Sequence, residues 1–206
     1  MDEIFEIGDG VLTKCLDKDI VEAIIPDDVT RIGAWAFYDC ENLKSVTIPD
    51  SVTSVGEGAF GKCENLKSIC IPNGVASIEV LSFADCSSLE SVHIPDGVTN
   101  IGCGAFSRCS SLESVHIPDG VTNIEDWAFS NCSSLQTVRI PNSVTSIKTG
   151  LFYGCRNLQS IYIPDSVTHI GYKAFSDCSS LKTVHIPDSV TDIGLLAFNG
   201  CPKLDQ

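Results

Sequence analysis

Cys40, Cys63, Cys86, Cys109, Cys132, Cys155, Cys178 and Cys201 recur every 23 residues, and Cys15, Cys70 and Cys103 bring the thiols to eleven. Thiols at fixed spacing can hold zinc, form disulfides or act as nucleophiles. No C-x-x-C occurs, so a zinc-ribbon reading has no support. If each 23-residue unit is one rung of a parallel stack, equivalent Cβ atoms sit ~4.8 Å apart. A disulfide needs about 3.8 Å, so bonding two rungs would pinch the stack. The column therefore reads as buried structural thiols, and the odd total leaves at least one without an internal partner. Free thiols suit a reducing or anaerobic setting. Cys70 stands apart at an outward strand position, where a thiol is open to reagents.

Other residues that could do chemistry also fall into columns. Asp27, Asp50, Asp96, Asp119, Asp165 and Asp188 follow the prolines of their units, with Asn73 and Asn142 in the gaps. Stacked carboxylates can bind calcium, but turn capping explains each one singly, and no glycine-rich nonapeptide accompanies them. Thr30, Thr53, Thr99, Thr122, Thr145, Thr168 and Thr191 form a third column. It lacks the paired Thr-x-Thr arrangement of ice-binding solenoids. His93 and His116 share an outward position on adjacent units, with no evident third metal ligand; the simpler reading is an exposed pair within a binding face. No G-x-S-x-G, P-loop, H-E-x-x-H or dinucleotide fingerprint is present, and nothing places two carboxylates in a pocket. The expectation is a non-enzymatic protein with no metal and no cofactor.

The bulk numbers narrow the partners. Hydrophobic residues make up 43% of the chain and charged residues 19%, a packed rather than disordered composition. A net charge of -14 repels nucleic acid and anionic lipid. No apolar run is long enough to span a membrane. The start, Met1-Asp2-Glu3-Ile4, lacks the basic and apolar regions of a signal peptide. Either the chain is intracellular or a signal lies outside it.

The elements that position these columns follow from the period. Pro26, Pro49, Pro72, Pro95, Pro118, Pro141, Pro164 and Pro187 are 23 apart, and the 15 residues from Ser87 to Ile101 recur letter for letter from Ser110 to Ile124. Within one unit, Ser91–Ile94 alternates polar and apolar residues, which predicts a short strand with Val92 and Ile94 inward. Pro95 ends the strand and Asp96-Gly97 supplies a turn. Val98 and Ile101 face inward on a second short extended piece. Ile101, Ala105, Phe106, Cys109 and Leu112 are spaced by threes and fours, which predicts a short α or 3₁₀ segment. A single unit cannot bury so many apolar groups; stacked units bury them against one another, as in a solenoid. The phenylalanines from Phe37 to Phe198 should form an aromatic spine, and the leucines from Leu43 to Leu204 a second column. The expected division is an amino-terminal cap over residues 1–25, with short strands about Gly8-Asp9-Gly10, and an eight-unit array over 26–206. The last unit stops before its strand, so its uncovered end is expected to be part of a longer array or to associate end to end with another chain.

The phrases "IPDSVTSVGEGAFGKCENLKSICIP" and "IPDGVTNIGCGAFSRCSSLESVHIP" resemble the BspA-like, or Treponema pallidum type, leucine-rich repeat family. The period of 23 lies within the leucine-rich repeat range. The asparagine of the commoner repeat is missing: counted from Leu89, its place falls on Gly97. The resemblance covers Pro26 to Leu204 and implies an α/β solenoid, right-handed, of eight units with short parallel strands, turns and short helical or 3₁₀ segments. It also implies a cell-surface or secreted protein used in adhesion or in binding host or matrix proteins. On that frame, the outward strand position reads Thr47, Cys70, His93, His116, Arg139, Tyr162 and His185, beside a nearly constant Ser/Thr row. Tyr and Arg are favoured at binding hot spots. His93, His116, Arg139, Tyr162 and His185 are therefore the expected partner-binding residues. The alternative is a structural spacer within a larger surface protein.

Overall fold

The computed structural model describes residues 4–204 as a β-solenoid built from two columns of short parallel strands. The first two strands, β1 (Phe5–Gly8) and β2 (Val11–Cys15), form an antiparallel hairpin. Asp9 and Gly10 turn it with φ of 51° and 72°, the doubly left-handed turn that matches strand twist. The hairpin lies against the first rung. β2 pairs in parallel with β4 (Arg31–Ile32), and the Phe5 ring meets Phe37 edge-on at 5.8 Å.

Each rung then contributes one strand to each column. The first column holds β3 (Glu22–Ile24), β5 (Ser45–Thr47), β7 (Ser68–Cys70), β9 (Ser91–His93), β11 (Ser114–Val115), β13 (Thr137–Val138), β15 (Ser160–Tyr162) and β17 (Thr183–His185). The second runs from β4 through β6 (Ser54–Val55), β8 (Ser77–Ile78), β10 (Asn100–Ile101), β12 (Asn123–Ile124), β14 (Ser146–Ile147) and β16 (His169–Ile170) to β18 (Asp192–Ile193). Register follows the period: Ser68 faces Ser91, Ile69 faces Val92 and Cys70 faces His93. Between the columns, the prolyl turn closes with a bond from Val98 N to Pro95 O at 3.0 Å.

The expected helical segment is absent, and no helix occurs among the described residues. The chain instead makes successive tight turns. Ala105, Ser107 and Cys109 donate backwards to Gly102, Gly104 and Phe106, while the intervening amides of Gly104, Phe106 and Arg108 donate to Asp126, Ala128 and Ser130 of the next rung. An amide committed to a neighbouring rung cannot close a helical ring. Gly104 and Arg108, both with φ of 60°, place a left-handed residue at the third position of two of these turns, as a type II turn requires. The class is therefore all-β.

Stacking buries the apolar faces. Phe37, Phe60, Phe83, Phe106, Phe129, Phe152 and Phe175 are fully buried, and successive ring centroids of the spine lie 5.0–5.9 Å apart with planes within 15°. Seven column cysteines lie beside this spine. Each donates its S–H to a phenylalanine carbonyl of the preceding rung, as from Cys109 to Phe83 O at 3.2 Å. All eleven cysteines are free, and burial pushes Cys86 and Cys132 up to about 12. The pattern changes at the first rung. A hydrogen bond from Cys15 holds the Cys40 thiol below its ordinary value, helped by the Lys18 ammonium, whose Nζ is 3.7 Å from Sγ. The threonine column has an equally structural role: Thr122 Oγ1 donates to Thr99 O at 3.3 Å, and Thr53, Thr99, Thr168 and Thr191 repeat the bond.

Candidate binding face

The strand column presents its outward row to solvent because alternate strand residues point to opposite faces. Val92 and Ile94 are buried, while Thr47, Cys70, His93, His116, Arg139, Tyr162 and His185 are all exposed. The row is continuous, but its members do not act as one constellation. Tyr162, 57% exposed, stacks on His185 with centroids 5.1 Å apart and planes 7° from parallel. Arg139 turns aside to Asp119, with Nη1 2.6 Å from Oδ1. His116 and Arg139 border a shallow depression with Ser114 and Thr137, and His185 borders another with Asp165 and Pro187. Among the described residues no three His, Cys, Asp or Glu side chains converge as a metal site. His169, in the second strand column, bonds Asp192 through Nδ1 at 2.9 Å.

The frame that carries this row is that of a known family. Residues 5–115 and 81–205 match the BspA type leucine-rich repeat region, in six copies. The chain belongs to the BspA-type leucine-rich repeat family. Solved members of similar build are bacterial. A leucine-rich repeat protein from Bacteroides ovatus shares 32% identity with a TM-score of 0.84 over 95% of this chain, which spans 58% of that protein's length. The leucine-rich repeat protein of T. pallidum shares 29% identity with a TM-score of 0.78 and is 90% covered. The pneumococcal vaccine antigen PcpA, at 19% identity and a TM-score of 0.55, is alike in fold alone. No curated protein matches the chain. BspA-type repeats are generally interaction or structural modules. Among the described residues no helix is long and apolar enough to cross a membrane.

A second surface escaped the sequence reading. On the turn edge of this BspA-type solenoid, Trp35, Gly58, Leu81, Gly104, Trp127 and Gly150 occupy one column, all with φ between 55° and 61°. Each large side chain leans over the glycine of the next rung. A Cβ on Gly58 would lie 2.1 Å from the Trp35 ring, one on Gly150 2.1 Å from the Trp127 ring, and one on Gly104 2.8 Å from Leu81 Cδ2. In the neighbouring column Asp85 accepts from Arg108 Nη1 at 3.3 Å. Two adjoining depressions share Asp85, Arg108, Asn131 and Tyr153 and form one groove across this edge. The alternation of large residues with glycine at a spacing of 46 was the available signal. It shows only when every second unit is compared.

Proposed function

We propose that the chain is a non-enzymatic protein-binding or adhesion module that engages a host, matrix or surface protein through its strand face, with residues 1–25 as the amino-terminal cap. The observation that carries this reading is the Tyr162–His185 stack on the strand next to Arg139, exposed while Ile140, Ile161 and Ile163 beside them point into the core. Two flat rings and a guanidinium held by a rigid backbone lose little freedom on contact, which favours binding. His93 and His116 extend the same row toward the amino terminus. The family resemblance supports a place at the cell surface or outside the cell. At the other end, Ile193 and Leu195 are 48% and 75% exposed, an apolar ledge on which a further rung or a second copy would stack.

The test is capture of immobilised matrix proteins such as fibronectin, fibrinogen and collagen on a sensor surface. Arg139→Ser with Tyr162→Ser should weaken binding about tenfold or more, roughly 1.4 kcal/mol, while Lys62→Ser on the turn edge leaves it unchanged. The melting temperature of the double variant should hold, since outward positions shift stability by less than about 0.5 kcal/mol. Loss of binding in Lys62→Ser alone would place the contact on the wrong face. Absence of any protein ligand would leave the spacer reading standing.

A further inference from the structure

The geometry points to a binding site for a neutral oligosaccharide on the turn edge, in the slot between Leu81 and Trp127. The slot follows from the leaning column. Trp127 packs one ring face on the bare backbone of Gly150, in the rung after it. Toward the rung before it stands Gly104, which contributes no side chain. Leu81 reaches over Gly104, but a leucine covers less than an indole, and the residual space is lined by Leu81, Gly104 and Trp127 together. Leu81 and Trp127 are two rungs apart, roughly 10 Å of rise. The corresponding space over Gly58 is taken by Trp35, and that over Gly150 by Trp127 itself. The slot is thus specific to this pair of rungs.

Its chemistry matches a sugar ring. A pyranose has apolar C–H faces and a rim of hydroxyls, each both donor and acceptor. Trp127, half-buried and fixed edge-on against Tyr153 at 5.8 Å, gives a rigid aromatic wall for the C–H face. Around it stand planar polar groups of both kinds. Arg108, with 69% of its side chain exposed, keeps donors free beyond its bond to Asp85; Asp85 keeps acceptors; Asn131 offers both. The charges also select. The charged residues of the whole groove are Glu64, Asp85, Arg108 and Arg156, which sum to zero in a chain of net charge -14. A locally balanced patch on so acidic a protein suits an uncharged ligand. The groove is shallow and open, without the deep apolar socket that a peptide side chain would fill.

This site is independent of the strand face, and the experiment separates them. In a Trp35→Leu background Trp127 is the sole tryptophan, and leucine already occupies the same column at Leu81 and Leu196 with the same backbone conformation. The probes are mannan, xylan, laminarin, galactan and soluble starch, with polygalacturonate as the charged comparison. At least one neutral polysaccharide should shift or quench Trp127 emission, and polygalacturonate should not. Calorimetry of that polysaccharide should show at least a tenfold loss of affinity in Trp127→Leu and in Arg108→Gln, with Arg139→Ser/Tyr162→Ser binding as the parent does. The proposal is overturned if all five neutral probes leave the emission unchanged, if binding survives Trp127→Leu, or if polygalacturonate binds as well as they do. A protein ligand lost in Trp127→Leu while every polysaccharide is inert would also overturn it, and would assign the groove to a peptide.

Discussion

Raising the pH from 7.5 to 9.5 should unfold this protein more readily than its modest charge density suggests, and the cysteine column is the reason. Cys63, Cys86, Cys109, Cys132, Cys155 and Cys178 are buried in a line, and desolvation pushes each thiol up, Cys86 and Cys132 to about 12. In the unfolded chain a thiol ionises near 8.5. The folded state therefore keeps protons that the unfolded state releases. The stabilisation is fully present below about pH 8.5 and is lost as the pH climbs toward the folded values. One unit above 8.5, each thiol favours the unfolded chain by roughly 1.4 kcal/mol. Six such thiols amount to about 8 kcal/mol, comparable with the whole stability of a typical domain at 5–15 kcal/mol. The assay is chemical denaturation followed by circular dichroism at half-unit steps of pH, with a phosphine reductant to prevent oxidation. The midpoint should stay level to about pH 8 and then fall steeply. Cys109→Ala with Cys132→Ala should start from a lower stability yet lose about a third of the slope. A flat profile to pH 9.5, or an unchanged slope in the double variant, would refute the reasoning.

Two further outcomes follow from the same packing. Phe106→Ala removes the middle of the aromatic spine and should cost about 3–5 kcal/mol in denaturant titration, because a rung held on both sides cannot collapse into the void. Under native conditions a maleimide should label Cys70 and Cys103 within minutes, the half-buried Cys201 more slowly and the fully buried column thiols only on unfolding, as mass spectrometry of the adducts would show; Cys103 should be slower than Cys70, since desolvation and the Asp126 carboxylate raise its thiol.

The columns and the strand row were readable because burial in a stack repeats with the unit and alternates within the strand. Val92 in and His93 out needs only a period of two. The turn segment was misread for a definite reason. The spacing of Ile101, Ala105, Phe106, Cys109 and Leu112 fits a helix, but successive turns closed every third residue place side chains inward at the same intervals. What separates the two is the left-handed backbone at Arg108 and Trp127, residue types that carry no local sign of it. The thiols could be assigned to the interior from spacing alone. Their acceptors could not: the bond from Cys109 to Phe83 spans 26 residues and exists only once rungs are aligned. The turn-edge groove has no signature between adjacent units, because Trp35, Leu81 and Trp127 recur at twice the 23-residue interval.

That doubled interval bears on how such an array can change length. The identical segments Ser87–Ile101 and Ser110–Ile124 are where unequal recombination within the gene would delete one 23-residue unit with the reading frame and strand register intact. The inner columns would close without a fault, phenylalanine on phenylalanine and cysteine beside cysteine. The turn edge would not. Leu81, which now leans into the space left by Gly104, would meet Trp127, and Asp85 would lose Arg108 and face Asn131. Between Trp35 and Gly150, loss or gain of two units together keeps each large side chain over a glycine; beyond Gly150 the column reads Lys173 and Leu196 and the alternation ends. Over that stretch the heritable quantum is therefore a pair of rungs, and natural variants that change length there should differ by 46 residues more often than by 23.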